Sequence, residues 1–452
     1  MARPAIWWCG LLGTAGSVAV VAGSAQPGSP FTTKLPDAWY FGVSPSAGSQ
    51  WLGLWLTWGG VLALLAAWYA VTQFWAADVR RLWAVLAAWT APLLVGPPLF
   101  SRDAYAYAAY GRLVAAGMSP YDHSPSSLGR SPLLTLVDPL WRSGHAPYGP
   151  LFSDMAGAVS VRSVPASVIG FRVLAVAGVV LVGVAVVPLA RSVGADPGRA
   201  FALAVLNPLV LLYLVGGAHN DAVMLGLLVA GVAAGRRWPV AGVVLCALAA
   251  AVKAPAFLGV VYVGWGWAGP APRLRRWWRV AAAVGLGAAV VAVVAVASGL
   301  GWGWLTDLST PGQVVSWLDP ATAVGRAVGS VTVARDVALV MAAALGLVLL
   351  ARSDRIGVPA AIGWTLLALA LLGPVVWPWY ETWGLVFLAV AATQSTPTRW
   401  VVLVLSAVGC FATVPGSVQL TAAGGVAVAA GLVAVAAGLA VFVRLAGMVR
   451  EA

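Results

Sequence analysis

The chain has 452 residues, of which 61% are hydrophobic and only 9% are charged, and its mean hydropathy is +0.91. A soluble fold of this size needs far more polar surface to cover its core, so an ordinary soluble enzyme is excluded. The formal net charge of +12 comes mostly from arginines in short loops between apolar segments. Because no basic stripe with interleaved aromatic residues is present, a nucleic-acid-binding protein is excluded as well.

Apolar stretches of about 20 residues recur along the whole chain and predict an all-α, polytopic transmembrane protein with about 13 spans. The predicted spans are 6–24, 51–75, 82–100, 167–190, 201–217, 220–235, 239–267, 280–300, 336–351, 359–376, 382–396, 400–418 and 421–443. Pro255 interrupts one of them, and we expect two short helices there, 239–253 and 255–267. Without an internal repeat or a soluble segment, residues 1–452 are interpreted as a single membrane domain. Three scattered cysteines in apolar segments favour packing over metal binding: Cys9, Cys246 and Cys410.

The loops that carry most of the arginines all fall on one side of these spans, which the positive-inside rule assigns to the cytoplasm. The other side carries residues 25–50, 101–166, 217–220, 301–335 and 377–381, together with all three histidines and most acidic residues. The sequence therefore predicts a multi-pass protein of the plasma membrane. Its functional site is expected on the extracytoplasmic face, with 101–166 as the main outer loop.

Asp103 opens the polar part of that loop, directly after a predicted span and next to Arg102 and Tyr105. A partly desolvated carboxylate at a membrane surface has a raised pKa and suits a general base. The alternative is a helix N-cap, supplied by Ser101 or by Asp103 itself. Residues 104–116 predict an amphipathic helix lying on the membrane, and 151–164 predict a short interfacial helix.

A second polar cluster, His219, Asn220 and Asp221, lies between two apolar helices. Polar groups at that depth are candidates for function, although a tight turn with an N-cap would explain one of them alone. Lys253 is one of two lysines in the chain, and its position within an apolar segment indicates that it pairs with a phosphate. The alternative is that its side chain snorkels to the membrane surface. Arg172 is open to a similar choice, between an intramembrane partner and a snorkelling side chain.

Aromatic residues accumulate at two further points of the outer face. Arg142 and the Pro-rich corner around Tyr148 follow the first polar segment, and Trp379, Tyr380 and Glu381 stand between two late spans. Such aromatics serve either as interfacial anchors or as a surface on which a sugar stacks. An anchoring belt does not require Glu381, one of only two glutamates in the chain.

Five motifs together resemble the actinobacterial polyprenol-phosphomannose-dependent α-(1→6)-mannosyltransferases, which are integral membrane glycosyltransferases of the GT-C type. They are Ser-Arg-Asp-Ala-Tyr-Ala-Tyr at 101–107, Asp-Pro-Leu-Trp-Arg at 138–142, Ala-Pro-Tyr-Gly-Pro-Leu at 146–151, Gly-Gly-Ala-His-Asn-Asp at 216–221 and Pro-Trp-Tyr at 378–380. The resemblance covers most of the chain from residue 100 to 385.

The resemblance implies a GT-C fold and a lipid-linked donor, polyprenyl-phosphate-β-mannose. Mannose would pass with inversion to a growing α-(1→6)-mannan, a lipomannan or lipoarabinomannan precursor, outside the cytoplasm. In the family an Asp of an early outer loop is the catalytic base, and Asp103 matches it. Asp37, in the first predicted outer loop, lacks the surrounding motif.

The expected partners are therefore the lipid-linked donor, a mannan or glycolipid acceptor and membrane lipids, with no nucleic acid, no cofactor and no metal. The residues expected to bind substrate are Arg102, Tyr105, Arg142, Tyr148, His219, Asn220, Asp221, Lys253, Trp379, Tyr380 and Glu381. Two alternatives stay open: a GT-C enzyme for another lipid-linked sugar such as arabinose or glucose, and a transporter or flippase. The clustering of polar residues on one face favours an enzyme over a transport path.

Overall fold

The computed structural model describes residues 6–27, 29, 31, 39, 50–74, 78–161, 163–269, 271–314 and 319–412. Throughout these ranges the chain is helical and contains no strand, so the all-α prediction is confirmed. The predicted span 421–443 and Asp37 lie outside the described residues.

The described residues before 217 contribute nine α-helices and three short helical segments of other types. The α-helices are α1 Ile6–Ser24, α2 Gln50–Phe74, α3 Val79–Thr90, α4 Asp103–Ala115, α5 Pro132–Leu136, α6 Pro139–Arg142, α7 Pro150–Val159, α8 Val164–Ser192 and α9 Pro197–Ala204. Two 3-10 turns span Ala91–Leu94 and Pro125–Leu128, and a π-helix spans Val210–Gly216. Proline at the first helical position begins several of them, since it lacks the N–H that would otherwise be unsatisfied there.

Ten α-helices follow in the described part of the chain. They are α10 Asp221–Gly235, α11 Pro239–Ala250, α12 Phe257–Trp267, α13 Arg273–Ala297, α14 Pro320–Val328, α15 Val331–Ala351, α16 Ser353–Ile356, α17 Val358–Leu372, α18 Pro378–Ala391 and α19 Thr396–Phe411. Two 3-10 segments span Ala254–Ala256 and Gly303–Gln313.

Among the described residues, five helices, α1, α2, α8, α13 and α15, are long and apolar enough to cross a membrane, and a bent pair of helices makes a sixth candidate. The prediction of about 13 spans is not confirmed. Several apolar stretches form shorter helices instead, such as α3 with 12 residues and α17 with 15. Composition alone does not distinguish these short helices from membrane spans, because an apolar segment that packs inside the protein has the same hydropathy as one that faces lipid.

The bent pair joins the π-helix Val210–Gly216 to α10 at an angle of 117°. The turn between them, Gly217–Asn220, is buried within the protein, where irregular backbone is tolerated among apolar helices. The bend therefore carries His219 and Asp221 into the interior. The sequence assigned residues 217–220 to the outer side, between two apolar helices, and the structure shows that this turn is buried among helices.

Helix α4 does not lie on a surface, and the amphipathic prediction for residues 104–116 was wrong. Every residue from Ala104 to Gly111 is buried, and the Tyr107 ring packs edge-on against those of Phe152 and Phe171, with centroids 5.0 and 5.7 Å away. Small residues allow this close approach, since a Cβ at Gly111 would collide with the backbone of α7. This packing fixes the N-terminus of α4, where Asp103 lies.

The predicted break beside Pro255 is confirmed, because α11 ends at Ala250 and α12 begins at Phe257. The N–H groups of Gly149 and Leu151 donate to the carbonyls of Val252 and Ala251 at 3.1 and 3.0 Å. The start of α7, itself a predicted short helix, is thereby joined to this break. All three cysteines are buried and free, as the packing interpretation requires.

Candidate active site

A cavity of about 450 Å³ lies where five parts of the chain meet. These parts are the entry to α4, the segment around α6, the break before α12, the 3-10 segment Gly303–Gln313 and the junction between α17 and α18. Its lining residues are Phe100, Ser101, Arg102, Asp103, Asp138, Leu140, Trp141, Pro147, Tyr148, Lys253, Ala254, Pro255, Leu308, Gln313, Val314, Leu369, Gly373, Pro374, Val375, Trp377, Trp379, Tyr380 and Trp383. The lining combines the charged side chains of Arg102, Asp103, Asp138 and Lys253 with tryptophan and tyrosine rings, a mixture suited to a ligand with both a sugar and a phosphate.

Asp103 is the first residue of α4, and its carboxylate faces both the cavity and the buried turn 217–220. The Ser101 hydroxyl accepts from the Asp103 N–H at 3.1 Å, so the Asp103 side chain is not needed as a cap. Burial raises the pKa of Asp103, while the nearby His219 and Lys253 oppose that rise. A carboxylate with a raised pKa is a stronger proton acceptor than an ordinary surface aspartate.

His219 stands behind Asp103, with its Nε2 atom 3.7 Å from the Asp103 carboxylate. Its Nδ1 atom lies 2.7 Å from the carbonyl oxygen of Tyr213, which can only accept a hydrogen bond. The Nδ1 atom therefore carries a hydrogen, and Nε2 is left to face the carboxylate. The Trp379 ring stacks on the imidazole with centroids 4.2 Å apart, which fixes the ring plane. Asp103 and His219 thus form a buried pair that can share one proton.

Asp221 and Lys253 form a second buried pair beside the first. The Nζ atom of Lys253 lies 2.9 Å from each carboxylate oxygen, and the Trp383 Nε1 atom donates to the same group at 2.6 Å. The ammonium also lies 4.5 Å from the centre of the Tyr380 ring. Lys253 reaches the cavity wall as predicted, but its charge is balanced by Asp221, a pairing that the sequence did not suggest.

Tyr107 and Asn220 lie behind the cavity lining rather than in it. The Tyr107 hydroxyl donates to Asn220 Oδ1 at 3.4 Å, and its ring meets that of Tyr148 edge-on at 5.1 Å. Tyr148 lines the cavity, whereas Tyr105 and Asn220 are buried and are not among the lining residues. Asn220 therefore orients the aromatic wall, and Tyr105 is not placed to bind substrate.

Arg102 and Arg142 both hold the segment before α6 in place. Arg102 donates to the carbonyls of Thr135, Leu136 and Val137 at 2.7–3.2 Å, and Arg142 donates to two of the same three. Arg102 also lines the cavity, but Arg142 lines a separate shallow groove. The prediction that Arg142 binds substrate in the cavity is corrected: its guanidinium anchors backbone instead.

Glu381 is another predicted site residue that does not line the cavity. It is buried, and its Oε2 atom points toward Gly409 on α19, 3.2 Å from where a Cβ would stand. Trp379 and Tyr380 do line the cavity, as predicted. Consecutive residues of a helix point about 100° apart, so Glu381 leaves the face that its neighbours occupy.

Trp383 and Asp138 line the cavity but were not among the predicted site residues. Trp383 stands three residues after Tyr380 on the same helical face, and that spacing would have revealed it. Asp138 is the N-cap of α6, and its carboxylate accepts from the Leu140 N–H at 3.0 Å. It lines the cavity as well.

Comparisons with known proteins identify the family of the chain. The sequence profile described as "Alpha-(1->6)-mannopyranosyltransferase, N-terminal domain" matches residues 10–269, and the one described as "MptB C-terminal domain" matches 305–443. No solved structure matches the chain.

Three curated relatives show the extent of the likeness. The chain is 36% identical to alpha-(1->6)-mannopyranosyltransferase A of Mycobacterium tuberculosis over 57% of this chain and 51% of that protein. It is 30% identical to a probable alpha-(1->6)-mannopyranosyltransferase of Mycolicibacterium smegmatis over 85% of this chain and 79% of the relative. With alpha-(1->6)-mannopyranosyltransferase B of Corynebacterium glutamicum it shares 28% identity over 67% of this chain and 57% of the relative. The chain thus spans about half the length of the first relative.

Proposed function

The chain belongs to the α-(1→6)-mannopyranosyltransferase family, and we propose that it transfers mannose from a polyprenyl-phosphate-mannose donor to a growing α-(1→6)-mannan. The acceptor is a precursor of lipomannan or lipoarabinomannan. The observation that carries the proposal is the cavity in which Asp103 faces a wall of tryptophan and tyrosine rings. The polar motifs that resemble the family are the same ones that meet there.

In this proposal Asp103 is the general base. The acceptor's 6-hydroxyl oxygen attacks C1 of the donor mannose, the bond from C1 to the phosphate oxygen breaks, and the hydroxyl proton passes to Asp103. Attack from the face opposite the phosphate inverts the anomeric centre, from the β-linked donor to an α-linked product. A positioned base of this kind contributes about 10²–10⁴-fold to a rate.

His219 and the two cations that line the cavity support the charges that develop. As the proton arrives on Asp103, the neighbouring Nε2 atom of His219 is close enough to share it after a small closure of the 3.7 Å gap. The leaving phosphate gains negative charge, and Arg102 and Lys253 provide the positive charge along the lining. Arg102 is the better candidate for direct contact, because Lys253 is already balanced by Asp221.

The proposed location is the plasma membrane, in a multi-pass arrangement with the cavity toward the extracytoplasmic face. The support is the set of five long apolar helices together with the arginine-rich loops on the opposite side. A lipid-linked donor fits this setting, since its polyprenyl chain stays in the bilayer while its mannosyl phosphate reaches the cavity. Apolar residues such as Leu369 and Pro374 line the cavity where such a chain would enter.

The test uses membranes that contain the full chain, radiolabelled polyprenyl-phosphate-mannose and a short α-mannoside acceptor. We expect α-(1→6)-linked product from the wild type and a loss of about 10²–10⁴-fold in Asp103→Asn at equal protein level. Asp154→Asn, an exposed carboxylate on α7, is the matched control and should retain full activity. Full activity in Asp103→Asn would refute the base, and transfer of arabinose or glucose but not mannose would refute the donor.

A further inference from the structure

Arg172, on α8, is fully buried and directs all five of its N–H groups at backbone carbonyls. Nη2 donates to Pro97 at 2.6 Å and to Gly216 at 2.9 Å, and Nη1 donates to Gly96 at 2.8 Å and to Leu94 at 3.3 Å. Nε completes the set with a bond of 3.3 Å to Gly216. A guanidinium this deeply buried is costly unless every donor is satisfied, and here the carbonyls satisfy each one.

The two stretches that Arg172 joins lead directly into the candidate active site. Residues 94–97 run into Asp103, and Gly216 runs into His219. The Leu99 N–H also donates to the Gly216 carbonyl at 3.1 Å, so the stretches touch each other as well. One side chain therefore holds together the backbone on both sides of the Asp103–His219 pair.

Both stretches also contain a strained residue immediately before the polar motif. Phe100 has a φ of 60° and Ala218 a φ of 59°, the only non-glycine residues with positive φ among those described. Left-handed backbone is unfavourable for a residue with a Cβ and persists only where the surroundings enforce it. The bonds of Arg172 lie within a few residues of each and supply that enforcement.

We propose that Arg172 is a positioning residue for the transfer reaction, whose guanidinium clamp sets the distance between His219 and Asp103. The proposal rests on the proposed function for its effect on turnover. It requires arginine in particular, because its rigid fork presents five donors in one plane, whereas lysine has three donors on a single nitrogen. Arg172→Lys keeps the positive charge and loses the clamp.

The first test follows amide hydrogen exchange in the purified full chain and needs no activity. In Arg172→Lys, we expect faster exchange in peptides that cover 94–104 and 213–222, with little change in α13 and α15. The matched control is Arg276→Lys, a buried arginine that binds the Ala271 carbonyl and Asp354 away from the cavity. Unchanged exchange in both peptides would overturn the clamp whether or not the chain transfers mannose.

The second test asks whether Arg172 acts through His219. We expect Arg172→Lys to lower turnover about tenfold with a smaller change in the donor KM, since a displaced catalytic group costs rate more than binding. In a His219→Ala background the same substitution should cost less than twofold, because the distance it sets no longer matters. An equal loss in both backgrounds would overturn the proposal, whereas an inactive wild type would count against the proposed function alone.

A further variant covers the case in which Arg172→Lys does not accumulate in membranes. Ala218→Gly removes the left-handed strain, so the folded chain is retained, but it also removes the stiffness of the turn before His219. We expect lower turnover with unchanged thermal stability. Unchanged turnover in this variant would show that the turn does not need to be held, and the proposal would fall.

Discussion

Replacing Lys253 by methionine tests whether this cation serves the fold or the donor. The side chains of Asp221 and Lys253 are 0% and 10% exposed, and their charged atoms lie 2.9 Å apart. At an effective dielectric constant of about 20, an attraction over that distance is about 6 kcal/mol before desolvation is subtracted. Removing one partner of such a buried pair costs about 3–5 kcal/mol, because the other charge remains buried and uncompensated.

Lys253→Met should therefore lower the apparent Tm of the detergent-purified chain clearly. The double variant Lys253→Met with Asp221→Asn should recover most of that loss, since asparagine is neutral and still offers an oxygen to the Trp383 Nε1–H. The assay is thermal unfolding at fixed pH, detergent and protein concentration. A double variant no more stable than Lys253→Met alone would refute the reasoning that charge balance is what Lys253 provides.

The same double variant separates a role of Lys253 in stabilising the fold from a role in binding the donor. If Lys253 acts on the donor only through the fold, recovery of Tm should restore the apparent donor KM. If its charge also supports the phosphate, the KM should stay raised in the stable double variant. An unchanged donor KM in every variant would show that neither role touches donor binding.

Two further predictions concern pH and the aromatic wall. Burial raises the pKa of Asp103, so kcat/KM should increase as the pH rises through that raised pKa. Because His219 opposes the rise, His219→Gln should move this acidic limb of the pH profile to higher pH. An acidic limb at the pKa of an ordinary aspartate would contradict Asp103 as the base. Trp379→Leu should raise the acceptor KM about tenfold through the loss of a stacking surface worth roughly 1.5 kcal/mol. The exposed Trp278→Leu is the control, and equal KM values for the two variants would contradict a sugar-stacking role for Trp379.

The positions of the polar motifs could be predicted from the sequence because ionisable residues are rare in apolar helices. Asp103, His219 and Lys253 each stood out against their neighbours, and the structure brings all three together. Their pairing could not be predicted. Nothing in the spacing of Asp221 and Lys253, which are 32 residues apart, indicates that they meet across the break before α12.

Arg142 and Glu381 show that a charged residue in a predicted outer loop does not by itself indicate a substrate-binding residue. A cation in an outer loop is as readily satisfied by backbone carbonyls as by a phosphate, and carbonyls leave no trace in the amino-acid sequence. The path of the segment before α6, which Arg102 and Arg142 hold, follows from three-dimensional packing. The same holds for Arg172, whose hydrogen-bond partners are all backbone carbonyls.

Two features of the site act on its buried carboxylates: each begins a helix, and aromatic residues pack beside them. Asp103 and Asp221 each begin a helix, where the backbone dipole stabilises negative charge and partly offsets burial. These residues lie within the first matched region, whereas Trp379 and Trp383 belong to the second. The Trp379 ring on His219 and the Trp383 bond to Asp221 connect the two regions directly beside the proposed base. A change of aromatic residue in the second region should therefore alter turnover as well as sugar preference, because the aromatic wall proposed to bind the sugar also packs on the residues proposed to perform the chemistry.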